Sequence, residues 1–426
     1  MLKKINIEKI ICLLIILVMI LVPLLKVSTY IPFIQKFYLN FFEIKRIYIL
    51  WGAIFFLVIT YFYKILSKKE KISFIDIIIY ILIILAFIST NYAVDFEKSF
   101  FGEMYRNEGL LTILSYYLLL LNSKGIKNIK YKENIIKIFI AIGIFQATYA
   151  ILQSYTDLDF INRYFIDYMA MGLCANPNFF GSYMVMQTLI IGYIYINNPK
   201  RLYLCIYILF GIALYAAEST GPVLSVIITL VFSMFVLPKQ IKKILKITIV
   251  LLMTFTLADL SLKYIQKYKF ENELVPIYDI SNDISTILET PAKDIGSGRL
   301  VIWENSLPLA KKYWLVGCGL DNFKDVYPQP EYVTYDKAHN VYLHIAITNG
   351  IPALIMFLIL LFIIFIKGLK NKNKFIIPIY IAFIGYSIQA FANISVIDVA
   401  PYYYILMGLI ISEFNKTKLN KELENK

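Results

Sequence analysis

The chain contains two histidines, His339 and His344, in the run Ala338-His339-Asn340-Val341-Tyr342-Leu343-His344. On a helix the two rings would point about 140° apart, which suits no shared metal. His339 stands where a long polar segment gives way to an apolar one. A solvent-reachable imidazole of near-neutral pKa there can take the proton of an attacking hydroxyl; His344 reads as a packing residue. Arginine is scarce: Arg46, Arg106, Arg163, Arg201 and Arg299 stand among 42 basic residues. A guanidinium offers a planar, permanently charged fork matched to phosphate oxygens, which lysine does not reproduce. Arg106, Arg163 and Arg299 are therefore candidate phosphate contacts, while Arg46 reads as an interface anchor. Two turns accompany them: Phe101-Gly102-Glu103-Met104-Tyr105-Arg106-Asn107-Glu108-Gly109, and Ala175-Asn176-Pro177-Asn178-Phe179-Phe180-Gly181. Asn178 is either a helix cap or a binding residue. The four cysteines, Cys12, Cys174, Cys205 and Cys318, show no metal-ligand spacing, and no carboxylate pair suggests a hydrolase.

These residues need a scaffold, and the composition says which. Of 426 residues 59% are hydrophobic and 17% charged, too apolar for a soluble domain. The sequence predicts an all-α polytopic membrane protein with about 12 spans of about 20 residues each. They fall near 7–25, 46–63, 72–90, 108–122, 135–154, 179–196, 202–217, 220–237, 247–262, 341–366, 375–393 and 398–414. The net charge of +13 sits in short loops, where it sets topology rather than binding nucleic acid. One set of alternating loops carries most lysines, including Lys64, Lys68, Lys124, Lys130, Lys200, Lys242, Lys370 and the 415–426 tail. The positive-inside rule then places both termini in the cytoplasm of a plasma-membrane protein. Residues 263–340 form one large external loop within an otherwise single membrane domain. Its apolar spacing, Leu300, Ile302, Trp303, Leu307 and Leu309, predicts partly helical structure.

The series Gly298-Arg299-Leu300-Val301-Ile302-Trp303, Gly317-Cys318-Gly319-Leu320-Asp321-Asn322-Phe323 and His339-Asn340, with Gly350 ten residues after Asn340, resembles the O-antigen ligase/polymerase superfamily. Its members carry R-x3-W, G-x-G-x3-F and H-N-x9-G in a large external loop and the helix after it. The Arg106 turn and the Asn-Pro-Asn segment resemble Gram-positive members. The resemblance implies a GT-C-like fold and a metal-independent, inverting glycosyltransferase with no cofactor. It implies a lipid-linked oligosaccharide donor on undecaprenyl diphosphate and, as acceptor, the hydroxyl of a glycan or other anchor. His339 is then the general base and Arg299 the diphosphate clamp, helped by Arg106 and Arg163. Asn340 orients the imidazole or binds sugar, and Tyr327, Tyr332 and Tyr335 stack on sugar rings. One departure stands out: many members have Ser-Arg-Gly where this chain reads Glu218-Ser219-Thr220-Gly221-Pro222. The rival class is a transporter or flippase of the same lipid-linked glycan, expected to show duplicated halves and charged spans; neither is evident. Cys174 and Cys318 are both external in this topology, and nothing in the sequence beyond that shared location supports a pair.

Overall fold

The computed structural model describes residues 6–28, 46–67, 72–103, 106–156, 169–174, 176–269, 298–331, 334–371 and 373–414. Among these residues the chain is helical and has no strand. The first half comprises α1 (Ile7–Ser28), α2 (Arg46–Leu66), α3 (Phe74–Asn91), a short α4 (Phe96–Phe101), α5 (Leu110–Lys124), α6 (Ile129–Tyr155), α7 (Pro177–Asn197) and α8 (Arg201–Ala216). The second comprises α9 (Thr220–Val236), α10 (Ile241–Lys269), α11 (Arg299–Lys312), α12 (Phe323–Val326), α13 (Val341–Thr348), α14 (Ile351–Leu369), α15 (Ile376–Gln389) and α16 (Ala400–Ile411). By length and composition α1, α2, α3, α6, α7, α10 and α14 are able to cross a bilayer; α5, α8, α9, α15 and α16 are shorter apolar helices. This is the architecture of a multi-pass membrane protein.

A helix that is apolar on every side belongs inside a bundle. α7 is that helix: 17 of its 21 residues are buried, against α8, α9 and α15. α5 plays a similar part, enclosed by α2, α3 and α16. The outer helices present Phe55, Phe56, Phe62, Ile355 and Phe362 outward, as a lipid-facing surface does.

Two spans differ from the sequence expectation. The stretch expected as one helix over 341–366 is broken into α13 and α14 at Gly350, whose φ is +87°. A Cβ there would stand 2.5 Å from the Leu315 carbonyl oxygen, so the break is a backbone-to-backbone joint. The span expected over 247–262 runs from 241 to 269, because lysines that lower hydropathy are nonetheless good helix formers.

A further segment was not foreseen. Residues 170–174, Ala-Met-Gly-Leu-Cys, are non-helical yet Ala170, Met171, Leu173 and Cys174 are buried. Buried backbone must find partners. Gln153 accepts from the N–H of Met171 and Gly172 at 3.2 and 2.9 Å, Gln146 from Leu173 N–H at 3.3 Å, and the Ala216 carbonyl from Ala170 N–H at 2.9 Å. This segment delivers the chain to the start of α7. Cys174 and Cys318 are separate free thiols, not the pair considered from the sequence.

The two ends of the bundle are chemically unlike. At one end Lys124 pairs with Asp76 at 2.7 Å, buried Lys132 pairs with Glu413, and Lys64 donates to the Gly125 carbonyl. At the other end lie the starts of α5, α7 and α9 and the end of α15. The loops carrying the candidate chemistry gather there.

Candidate active site

Arg299 is the first residue of α11, which Gly298 enters in the left-handed region at φ +75°. Its Nη2 donates to Asn178 Oδ1 at 3.4 Å. Asn178 is free to accept because the cap of α7 is Asn176, whose side chain accepts from Asn178 N–H at 2.9 Å. Ser219, just before α9, donates to the same Asn178 oxygen at 2.6 Å. Asn393, in the loop after α15, donates to the Asn178 carbonyl at 3.0 Å. Three other elements thus converge on one asparagine of α7. Arg299 forms no ion pair with any described carboxylate, and burial lowers its pKa from the usual guanidinium value.

His339 is reached from above. Its φ is +49°, a region that costs a non-glycine residue about 1–3 kcal/mol. The other described non-glycine residues with positive φ are Asn107, Glu218 and Asp321. These sit in the Arg106 turn, before α9 and in the 317–323 loop, all facing this same end. Strain of this kind persists only where neighbours hold it, and the neighbours are specific. Trp303 donates its indole N–H to the Ala338 carbonyl at 3.1 Å. Lys337, 2% exposed, lies 3.0 Å from Glu108 and 2.8 Å from Asp321. Tyr116 donates to Glu108 at 3.1 Å, and Asp321 accepts from the N–H of Glu103 and Glu108 at 2.8 and 3.2 Å. This buried network ties the residue two before His339 to both other loops. Burial pushes the Lys337 ammonium down, but Asp321 and Glu108 outweigh it and leave its pKa raised.

The imidazole itself is held neutral. Burial lowers the His339 pKa to about 4; Arg299 and Arg106 push the same way, and Asp336 opposes them. Arg106 donates Nε–H to Asp336 and covers the Phe179 ring with its guanidinium 5.4 Å from the centroid. Burial alone would raise Asp336, yet Arg106 holds this carboxyl below its usual range. His339, Arg299, Arg106 and Asn178 therefore share one electrostatic environment. Asn340 adjoins them as the cap of α13, accepting from Tyr342 and Leu343 N–H at 3.0 and 3.1 Å. Its oxygen is engaged by the helix rather than by the imidazole; its amide N–H groups remain for other partners. Tyr327 is packed into a small core, stacked on Phe323 at 5.1 Å with Tyr335 edge-on at 5.8 Å. Arg163, Tyr332, residues 270–297 and the 415–426 tail lie outside the described residues.

The glycines of the sequence series have a mechanical explanation. A Cβ at Gly317 would stand 2.1 Å from the Thr348 carbonyl oxygen. Cys318 and Gly319 N–H donate to the carbonyls of Ile347 and Thr348 at 2.8 and 3.1 Å. The 317–323 loop is docked onto the α13–α14 joint, which fixes where His339 sits at the head of α13. Sequence reasoning gave no role to Lys337, Glu108, Asp321 or Asn393. Glu108 and Asp321 stand in the two segments singled out from the sequence, and Lys337 stands two residues before His339, but nothing in the sequence showed that the three would meet. Among the described residues no cluster of three or more His, Cys, Asp or Glu is placed to hold a metal.

Apolar helices long enough to cross a bilayer, with polar loops gathered around a strained histidine at one end, define a class, the multi-pass membrane protein. The O-antigen ligase family profile matches residues 205–358, a stretch from α8 through α14 that contains Arg299, His339 and Asn340. The match bears out the resemblance to the O-antigen ligase/polymerase superfamily. No curated protein matches the chain.

Proposed function

We propose that the chain is a membrane glycosyltransferase that moves a glycan from undecaprenyl diphosphate to an acceptor hydroxyl on the outer face, as a polysaccharide ligase or polymerase. The observation that carries this reading is a guanidinium, Arg299, with no carboxylate partner among the described residues, in electrostatic reach of a strained imidazole, His339. Arg299 binds the donor diphosphate and neutralises the charge that develops on it as the glycosidic bond breaks. Arg106 assists, with Asp336 setting its position. Asn178 fixes Arg299 through a single oxygen shared with Ser219. His339 accepts the proton of the acceptor hydroxyl, which attacks the anomeric carbon with inversion. The diphosphate leaves without needing a metal, because the guanidinium supplies the positive charge.

The low His339 pKa fits this order of events. With the site empty, Arg299 and Arg106 repel a proton from the ring. An anion on Arg299 cancels that repulsion, and each pKa unit regained is worth 1.36 kcal/mol. Donor binding thus strengthens the base that the reaction requires next. The lysine-rich opposite end supports placing the site outside the cytoplasm by the positive-inside rule. The test is purified protein with a glycan-bearing undecaprenyl diphosphate donor and an acceptor glycan. Release of undecaprenyl diphosphate with a longer or newly anchored glycan is expected, insensitive to EDTA and absent in His339→Ala. Glycan passage across a vesicle without release of the lipid diphosphate would establish the transporter reading instead.

A further inference from the structure

Gln389 closes α15 at the active-site end and is 1% exposed. Its Oε1 accepts from Ser225 at 2.6 Å, while its Nε2 donates to no described residue. That leaves the amide N–H groups for a ligand. The amide packs over Gly221, the second residue of α9. A Cβ built on Gly221 would lie 3.4 Å from both Gln389 Nε2 and Oε1 and 3.9 Å from Arg299 Nη1. Glycine here is not demanded by backbone conformation, and 3.4 Å is ordinary contact. Gly221 matters instead as the place where the Gln389 amide and the Arg299 guanidinium converge. The start of α9 adds to the same polarity. Ser219 makes no capping bond from its side chain and Pro222 has no N–H, and the positive end of the helix dipole faces outward here.

We propose that Gln389 is a further donor-binding residue: its Nε2 and Arg299 together grip one anionic group of the lipid-linked donor over Gly221. This rests on the reading of Arg299 as the diphosphate clamp. A neutral donor suits the place, since a second guanidinium beside Arg299 would depress the His339 pKa further, whereas an amide binds the anion and leaves the base alone.

The test measures undecaprenyl diphosphate binding to the purified full chain in detergent, with thermal melting as the check on folding. Gln389→Met keeps the bulk and removes the N–H; a loss of affinity of about 10-fold, ~1.4 kcal/mol, is expected. Gln389→Glu sets a carboxylate against Arg299 and is expected to lose about 100-fold. Gly221→Ala makes only ordinary contacts, so it should melt like the parent yet bind about 10-fold more weakly. Arg299→Ala is the reference for the clamp itself. If Arg299→Ala abolishes binding while Gly221→Ala and Gln389→Met bind like the parent, the Gln389 assignment is overturned and the clamp stands. If the parent chain fails to bind the lipid diphosphate, the clamp and the Gln389 contact fall together.

Discussion

Lys337 allows the positioning of His339 to be tested without touching the histidine. Lys337→Met keeps the aliphatic stem and removes the charge. Two buried carboxylates, Glu108 and Asp321, then lose the ammonium that lies 3.0 and 2.8 Å away. Removing one partner of a buried ion pair costs about 3–5 kcal/mol. At 2–4 °C per kcal/mol this lowers the melting midpoint by roughly 6–20 °C. Of the two acids Glu108 takes up the proton. Burial already raises its pKa, and Lys337 holds it down, whereas Asp321 keeps two backbone N–H donors. A carboxyl raised in the folded state favours folding in its neutral form. Its contribution is full below the unfolded pKa and is lost as pH rises through the folded pKa. Without Lys337 that folded pKa moves higher still, so the deficit of the variant is small near pH 4 and large near about pH 8. Adding Glu108→Gln removes the conflict between the acids and restores much of the loss at the upper pH. The assay is fluorescence-monitored melting of detergent-purified single and double variants across this range, paired with transfer rates. A pH-independent deficit, or a double variant no more stable than the single, refutes the account.

Three further outcomes follow from the same geometry. Arg299→Lys keeps the charge but loses the fork, and transfer is expected to fall by at least 10-fold with membrane insertion unchanged; parent-like kinetics would reduce Arg299 to an anchor. The acid limb of kcat/KM reports His339 in the free protein, so activity should fall as pH drops towards about 4, and the limb of kcat should lie higher because the bound donor masks Arg299; coincident limbs would contradict that coupling. Trp303→Phe deletes the indole bond to Ala338, worth about 1 kcal/mol, and is expected to lower kcat more than it raises the donor KM; a change in melting alone would assign Trp303 to packing.

The residues bearing unusual chemistry were the legible ones. His339, Arg299, Arg106 and Asn178 declare themselves by rarity or by turn context, and folding brings them to one end of the bundle. The apolar segments were legible for the same reason that hydropathy works, since each carries few charges along an apolar run. Lys337 was not, because in a chain with 42 basic residues one more lysine in a polar loop carries no sign of being buried. Nor was Gln389, an amide at the end of a span whose meaning depends on Gly221 and Arg299, both distant in sequence. The break at Gly350 was hidden because apolar composition continues on both sides, and only the carbonyl of Leu315 pressing on that residue requires it. The buried 170–174 segment was hidden too, as its glutamine partners belong to α6.

The lysine-rich end sets a boundary for shortening the chain. Lys132 is wholly enclosed and meets its carboxylate in Glu413, which also accepts from Asn373 at 3.2 Å. A chain ending at Phe414 keeps both Ser412 and Glu413. Stopping at Ile411 strips both Ser412 and Glu413 from the ammonium and unlatches α16 from α6. Trimmed versions for crystallisation or fusion tags therefore need to keep Ser412 and Glu413.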